Sequence, residues 1–320
     1  MSLINRRNIP TLCEAELQGY IFYVAPLTSA IRSFWESNIV STNLFTTIEA
    51  AYAKTVSNRN DVIVLSSDAH TLTGMLTVAK NLVHFIGISA EGKHFGQRAR
   101  IDMSTDAAAD IGVMTVTGVG CTFRGIKFRN ETATITYSKN VLLDAGEYTL
   151  YENCDFYLAA VTQATTTGLA EIVANGDSTQ FKDCTIGSSA QQVATTALTR
   201  PCVLVTASTV SAGKVLRDNY FENCIFWRKA GHVNNAFVYG ANATDVQRLL
   251  LLKGCTFINS TLATADPAAA VVFGAAQTQG VVMVQDCGTA RCSLVVTAAM
   301  GTYLQGATST HNTSCLGVTG

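Results

Sequence analysis

Six short segments centred on a cysteine recur along this chain, and their spacing constrains the fold more than any other feature. They read GVGCTF (118–123), YENCDF (151–156), FKDCTI (181–186), FENCIF (221–226), LKGCTF (252–257) and VQDCGT (284–289). An apolar residue is followed by a polar one, then Asn, Asp or Gly, then Cys, any residue, and an aromatic or aliphatic one. The first segment lacks the leading apolar residue and the last lacks the trailing one. Cys121, Cys154, Cys184, Cys224, Cys255 and Cys287 stand 33, 30, 40, 31 and 32 residues apart by subtraction. A steady interval of this size marks one supersecondary unit stacked along an axis. The windows alternate with period two and are rich in Phe, Val, Ile, Thr and Tyr, which selects strands over helices.

The expected fold is all-β: a single-stranded right-handed parallel β-helix, a solenoid whose successive coils lie roughly 4.8 Å apart. Each of the six cysteines is expected to point inward above the last as a small hydrophobe, a structural ladder. The residue before it, Asn153, Asp183, Asn223 or Asp286, suits a corner, because Asn, Asp and Gly tolerate the left-handed backbone that a sharp turn between strands requires. Ten cysteines in 320 residues therefore do not read as disulfides. A metal site would bring ligands within a few residues of one another, and only Cys287 and Cys292 approach that spacing. The five histidines show no ligand spacing. No metal and no cofactor is expected.

Three regions follow. Residues 1–44 lack the motif and are expected to form an N-terminal attachment segment. Residues 45–292 form the solenoid, opened by a capping helix at 45–56, FTTIEAAYAKTV, where Ile48, Ala51, Tyr52 and Val56 have helical spacing and Thr46 or Thr47 can serve as N-cap. Residues 293–320 are expected to cap the last coil or contact a neighbouring subunit. DVIVLSS (61–67) and LTVAKNLVHFIGI (76–88) read as early strands.

The series GYIFYVAP (19–26), FTTIEAAYAKTVSNRNDVIVLSSDAHT (45–71) and KNLVHFIGI (80–88) resembles the opening of the pectin-lyase-like superfamily of β-helices, with its "YV" strand, "TIxxA" capping helix, "GDxIxV" strand and "KNVxLxG" coil. Asn60 stands where that pattern has Gly, and Ser66 to Asp68 replace its "PGxY" turn. The resemblance specifies fold far better than function, since that fold hosts lyases, hydrolases, esterases, phage tailspikes and inert scaffolds.

Catalysis on this fold would need grouped carboxylates. Asp155 has no acidic counterpart in the other coils, where Thr122, Thr185, Ile225, Thr256 and Gly288 stand. Glu152 and Glu222 alternate with Lys182 and Lys253, which reads as a paired outer face. No catalytic residue is assigned. The run RGIKFRN (124–130) sets Arg124, Lys127 and Arg129 around apolar residues and, with an outward Trp227, could meet a protein or an anionic glycan.

Charged residues are only 14% of the chain against 48% apolar, and the net charge is −1. An ordinary globular chain carries about a quarter charged residues, so this surface is built from small neutral side chains and suits contact with other protein. There is no basic excess for nucleic acid and no apolar run of the roughly 18 residues that a membrane helix needs. MSLINRRNIP is not a secretory signal, so a reduced compartment is expected. The reading is a non-enzymatic structural protein of a tailed-bacteriophage virion, a decoration or spike protein assembled in the host cytoplasm against a major capsid or other virion protein. The resemblance further implies a homotrimer. A polysaccharide-degrading tailspike or a glycan-binding adhesin is the alternative.

Overall fold

The computed structural model describes residues 19–88, 99–103, 112–130, 140–158, 170–192, 201–206, 216–260, 266–273, 280–292, 294–296 and 302–305. Three sheets, all of parallel strands, run the length of the molecule, with eleven, eight and eight strands among the described residues. Each full coil contributes one strand to each sheet. In one coil these are Leu150–Glu152 in the long sheet, Asp155–Leu158 in the second and Ile172–Ala174 in the third. The chain is a parallel β-helix, as the repeat predicts.

The interior is built from columns of like side chains. Phe85, Phe123, Tyr151, Phe181 and Phe221 stack face to face, ring centroids 5.0, 5.0, 4.7 and 4.6 Å apart. Phe128 and Phe156 form a second stack at 5.1 Å, set edge-on to the first. These separations follow from the strand spacing, so the sheets and the rings enforce one register together.

Each coil turns from the long sheet into the second over two residues. The first is left-handed: φ is 52° at Asn153, 51° at Asp183, 53° at Asn223, 62° at Gly254 and 51° at Asp286. Its N–H donates to a carbonyl of the next coil, as Asn153 does to Lys182 at 2.9 Å, and the following Cys carbonyl accepts from that coil, as Cys154 does from Thr185. The hydrogen-bond ladder is thus unbroken at the corner. A second left-handed column, Leu82, Gly120, Tyr148, Ser178 and Asp218, lies where the third sheet leads back into the long one.

Two of the expected boundaries move. Ile21–Val24, assigned by sequence to the attachment segment, pairs in register with Asp61–Leu65 as a strand of the long sheet. Helix α1, Arg32–Asn38, lies on the outer face there, with Trp35 buried among Tyr23, Val62, Val64 and Ile86. At the other end Leu294–Val296 and Thr302–Gln305 add strands beyond residue 292. Neither end carries the cysteine motif from which the boundaries are read, although GYIFYVAP (19–26) resembles an opening strand.

Helix α2, Ile48–Lys54, closes the first coil, shorter than the expected 45–56 and leaving Val56 exposed outside it. Thr47 is the N-cap, accepting from Ala50 N–H at 3.2 Å. Ile48 and Ala51 enter the core. The Lys80 ammonium donates to the carbonyls of Tyr52 and Thr55 at 2.7 Å each, holding the helix C-terminus where its dipole favours a cation.

Candidate functional site

Five of the six motif cysteines form one column. The pairs Glu152↔Lys182, Lys182↔Glu222, Glu222↔Lys253 and Lys253↔Gln285 fix the register before the corner. Asp155↔Thr185, Thr185↔Ile225, Ile225↔Thr256 and Thr256↔Gly288 fix it after. Cys154, Cys184, Cys224, Cys255 and Cys287 are therefore held on successive rungs, all buried. Each thiol donates to a carbonyl of the coil below: Phe123, Tyr151, Phe181, Phe221 and Leu252, at 3.2 to 3.5 Å. Burial pushes the thiols of Cys154, Cys184 and Cys224 well above their ordinary pKa.

Cys121 is not the sixth rung. Phe123 pairs with Tyr151 and Arg124 with Glu152, so Gly125 is the corner and Ile126 the inward residue of that coil. The repeat unit there is FRGIKF (123–128), which leads to Cys154 after 28 residues by subtraction. Cys121 lies at the other left-handed corner, beneath Thr149 and Thr179, donating to the Lys80 carbonyl at 3.4 Å. Burial raises its pKa to about 11. The misalignment has a physical source. Both corners of this coil carry a left-handed glycine, Gly120 and Gly125, and only one is followed by Cys.

The outer face of the long sheet carries a column of alternating charge, Arg124, Glu152, Lys182, Glu222 and Lys253. Arg124 pairs with Glu152 at 2.7 Å and Lys182 with Glu222 at 3.6 Å. Arg124 is consequently on a different sheet from Lys127 and Arg129, and the three do not make one basic patch. Arg129 binds Asp102 with two hydrogen bonds of 3.0 Å. Arg100 donates to the same carboxylate at 2.7 Å. The Lys127 ammonium lies 5.2 Å from the centre of the Tyr157 ring. Asp155 is buried, 4% exposed.

Trp227 faces outward, half-buried, in the column Arg129, Tyr157, Gly187, Trp227 and Ile258 on the second sheet. Gly187 lies between the two aromatic residues in strand register, tight against the Trp227 carbonyl. On the third sheet the outward column is Thr77, Thr115, Leu143, Val173, Leu204, Tyr239 and Val272. It holds no carboxylate among the described residues.

The interior holds a polar cluster that sequence reading missed. Arg228, inward because it is two residues after Phe226, is 2% exposed and meets buried Glu171 at 2.5 Å. Its Nε donates to the Cys202 sulfur at 3.2 Å. Period-two alternation from Phe226 could have placed Arg228 inside, but nothing in sequence joins it to Glu171. A second buried carboxylate, Asp144, accepts from the Tyr151 hydroxyl at 3.0 Å and the Thr179 hydroxyl at 2.8 Å. Among the described residues no three His, Cys, Asp or Glu side chains converge as a metal site, and no helix is long and apolar enough to cross a membrane.

No protein-family model and no curated protein matches the chain. Among solved structures it is similar to pectate lyase Pel9A, with a TM-score of 0.57 and 13% identity over 93% of this chain and 78% of that one. A pectin methylesterase bound to a hexasaccharide gives 0.56 and 13% over 89% and 80%. The pectin methylesterase of Aspergillus niger gives 0.56 and 11% over 89% and 83%. At these identities the likeness is one of backbone path: the chain has the right-handed parallel β-helix fold.

Proposed function

We propose that the chain is a structural component of a bacteriophage particle, of decoration or spike type, which docks through its N-terminal end. The observation that carries this reading is the dressing of the first coils. Helix α1 and its flanks cover the outer sheet face with Trp35 yet leave Leu27, Phe34 and Val40 exposed at 77, 47 and 69%. Large apolar side chains gathered in a stretch of 14 residues suit burial by a partner. Along the flank, by contrast, the charges of the long sheet pair with one another. A homotrimer, contact with a major capsid or other virion protein, and assembly in the host cytoplasm belong to the same proposal.

The test is particle assembly with the full chain and with the triple variant Leu27→Asp, Phe34→Asp, Val40→Asp, followed by electron microscopy with an antibody label. The native chain should decorate shell or tail. The variant should be absent from particles while keeping its circular dichroism and melting temperature. Incorporation of the variant at the native level would overturn the docking surface.

A glycan-acting or glycan-binding protein is the second reading. Tyr157 and Trp227 in one outward column favour it, since aromatic faces receive sugar rings, and the similar solved structures include proteins named for pectin and pectate. Cleavage of a polysaccharide by the purified chain, lost in Glu152→Gln or Glu222→Gln, would establish it against the structural role.

A further inference from the structure

We propose that the outer face of the long sheet is a contact between two copies of this chain, their axes antiparallel about a twofold that passes between the Lys182 and Glu222 rungs. Three columns lie on that face. The middle one, Leu150, Gln180, Tyr220, Leu251 and Met283, is partly exposed and mostly apolar. On one side runs the column Arg124, Glu152, Lys182, Glu222, Lys253 and Gln285. On the other, where the third sheet leads back into the long one, stand Glu147, Asp177, Arg217 and Gln247. An apolar stripe rimmed by polar and charged groups is the anatomy of a protein contact.

The order of the charges selects the partner. A twofold axis lying in the plane of contact, parallel to the strands, inverts each column onto itself, so one patch meets its own copy. Placed between Lys182 and Glu222, it sets Lys182 against the Glu222 of the second copy, Glu152 against Lys253 and Arg124 against Gln285. In the other charged column Asp177 meets Arg217, and Glu147 meets Gln247. In the stripe Leu150 meets Leu251, and Gln180 meets Tyr220. No like charges face each other. Shifted one rung towards Glu152, the axis would set every charged member of the first column against its own sign, which fixes the register by repulsion as well as attraction. A threefold axis along the stack keeps all copies at one level and would bring Glu152 to Glu147, so a trimer belongs on another sheet.

The face is large enough for this. Six rungs about 4.8 Å apart and six residues of about 3.3 Å each outline roughly 600 Å² per copy, against roughly 800 Å² per partner in a standard complex. A contact of that size should be reversible and depend on concentration. Each copy already pairs Arg124 with Glu152 and Lys182 with Glu222 along its own column, and the second copy extends these pairs into clusters of four charges. The contact goes beyond the particle role proposed above. Leu27, Phe34 and Val40 are not among its columns, and their test, incorporation into particles, stands or falls separately.

The experiment takes the purified full chain through a concentration series in sedimentation velocity. It is then treated with a carbodiimide, which joins a carboxylate directly to an amine, and digested for mass spectrometry. The copy number should be even: two, or six where threefold contacts on another sheet join three pairs. Glu152 and Lys253 should be found linked. Within one copy they stand three rungs, about 14 Å, apart, too far for a direct bond, so the link reports the second copy. Glu152→Lys and Lys253→Glu should each weaken association about tenfold, because the twofold counts every substitution twice. The double variant Glu152→Lys, Lys253→Glu should recover it, although within one chain it sets like charges on neighbouring rungs. Circular dichroism checks that each variant folds. A monomer at every concentration, an odd copy number, a self-associated chain without the Glu152–Lys253 link, or a double variant that associates no better than the single ones would overturn the contact.

Discussion

Arg228 and Glu171, 57 residues apart in sequence, meet at 2.5 Å inside the solenoid, on the second sheet and at the start of a third-sheet strand. A charge sealed in this way is costly alone and tolerable paired. Arg228→Met or Glu171→Met should each cost about 3–5 kcal/mol by leaving its partner stranded. The double variant Arg228→Met, Glu171→Met should recover much of that loss. Chemical denaturation of the four proteins measures the coupling, and simple additivity would show that the pair is not an energetic unit.

The corner at Gly254 is constrained twice. Its φ is +62°, and a Cβ there would come within 2.6 Å of the Asn223 side-chain oxygen. Gly254→Ala should cost about 1–2 kcal/mol from backbone conformation alone, plus the crowding. Combining it with Asn223→Gly should return only the crowding part. Unfolding midpoints separate the two contributions.

Lys80 ties helix α2 to the coil it covers through the carbonyls of Tyr52 and Thr55. Lys80→Met keeps the aliphatic stem and removes the charged donor, a change worth roughly 1.5–3 kcal/mol. Amide exchange in residues 48–54 should accelerate while the central strands keep their protection. Uniform acceleration along the chain would mean that the cap and the solenoid open as one body.

His70 is buried, its Nε2 lying 3.0 Å from the Ser66 carbonyl, and burial pushes its pKa below the usual value. The unfolded chain therefore takes up the proton first as the pH falls. Above the unfolded value of about 6.5 His70 carries no penalty, and below it stability should decline until the folded form is also protonated. His70→Phe should flatten that part of the profile. An unchanged slope between pH 7 and pH 5 would remove His70 as its source.

The alternating charge column should be sensitive to sign. Lys182→Glu would set like charges on three successive rungs and should cost on the order of 1 kcal/mol. Added salt should reduce the loss by screening. The comparison needs only melting curves at low and high ionic strength.

Much of this architecture is legible in sequence, for identifiable reasons. Inward columns repeat one side-chain type per coil, so Cys154 to Cys287 and the aromatic residues three positions before the first three of them announce the coil. The corner residues announce the turn because few residue types adopt positive φ. The alternation of Glu152, Lys182, Glu222 and Lys253 is visible once the cysteines are aligned. Cys121 misleads because it follows a second left-handed corner that looks like the first. Arg124, Lys127 and Arg129 look like one patch until Gly125 turns the chain between them. Contacts across the interior, such as Arg228 with Glu171, depend on which sheets face each other, and no local pattern encodes that.

The two-residue corner beside the cysteines never changes length, whereas the interval from one coil to the next ranges from 28 to 40 residues. In the longest interval, Cys184 to Cys224, the extra residues lie in the connections on either side of the third-sheet strand Val203–Val205. The molecule is in effect a rack, rigid along one edge and open to insertion along the other.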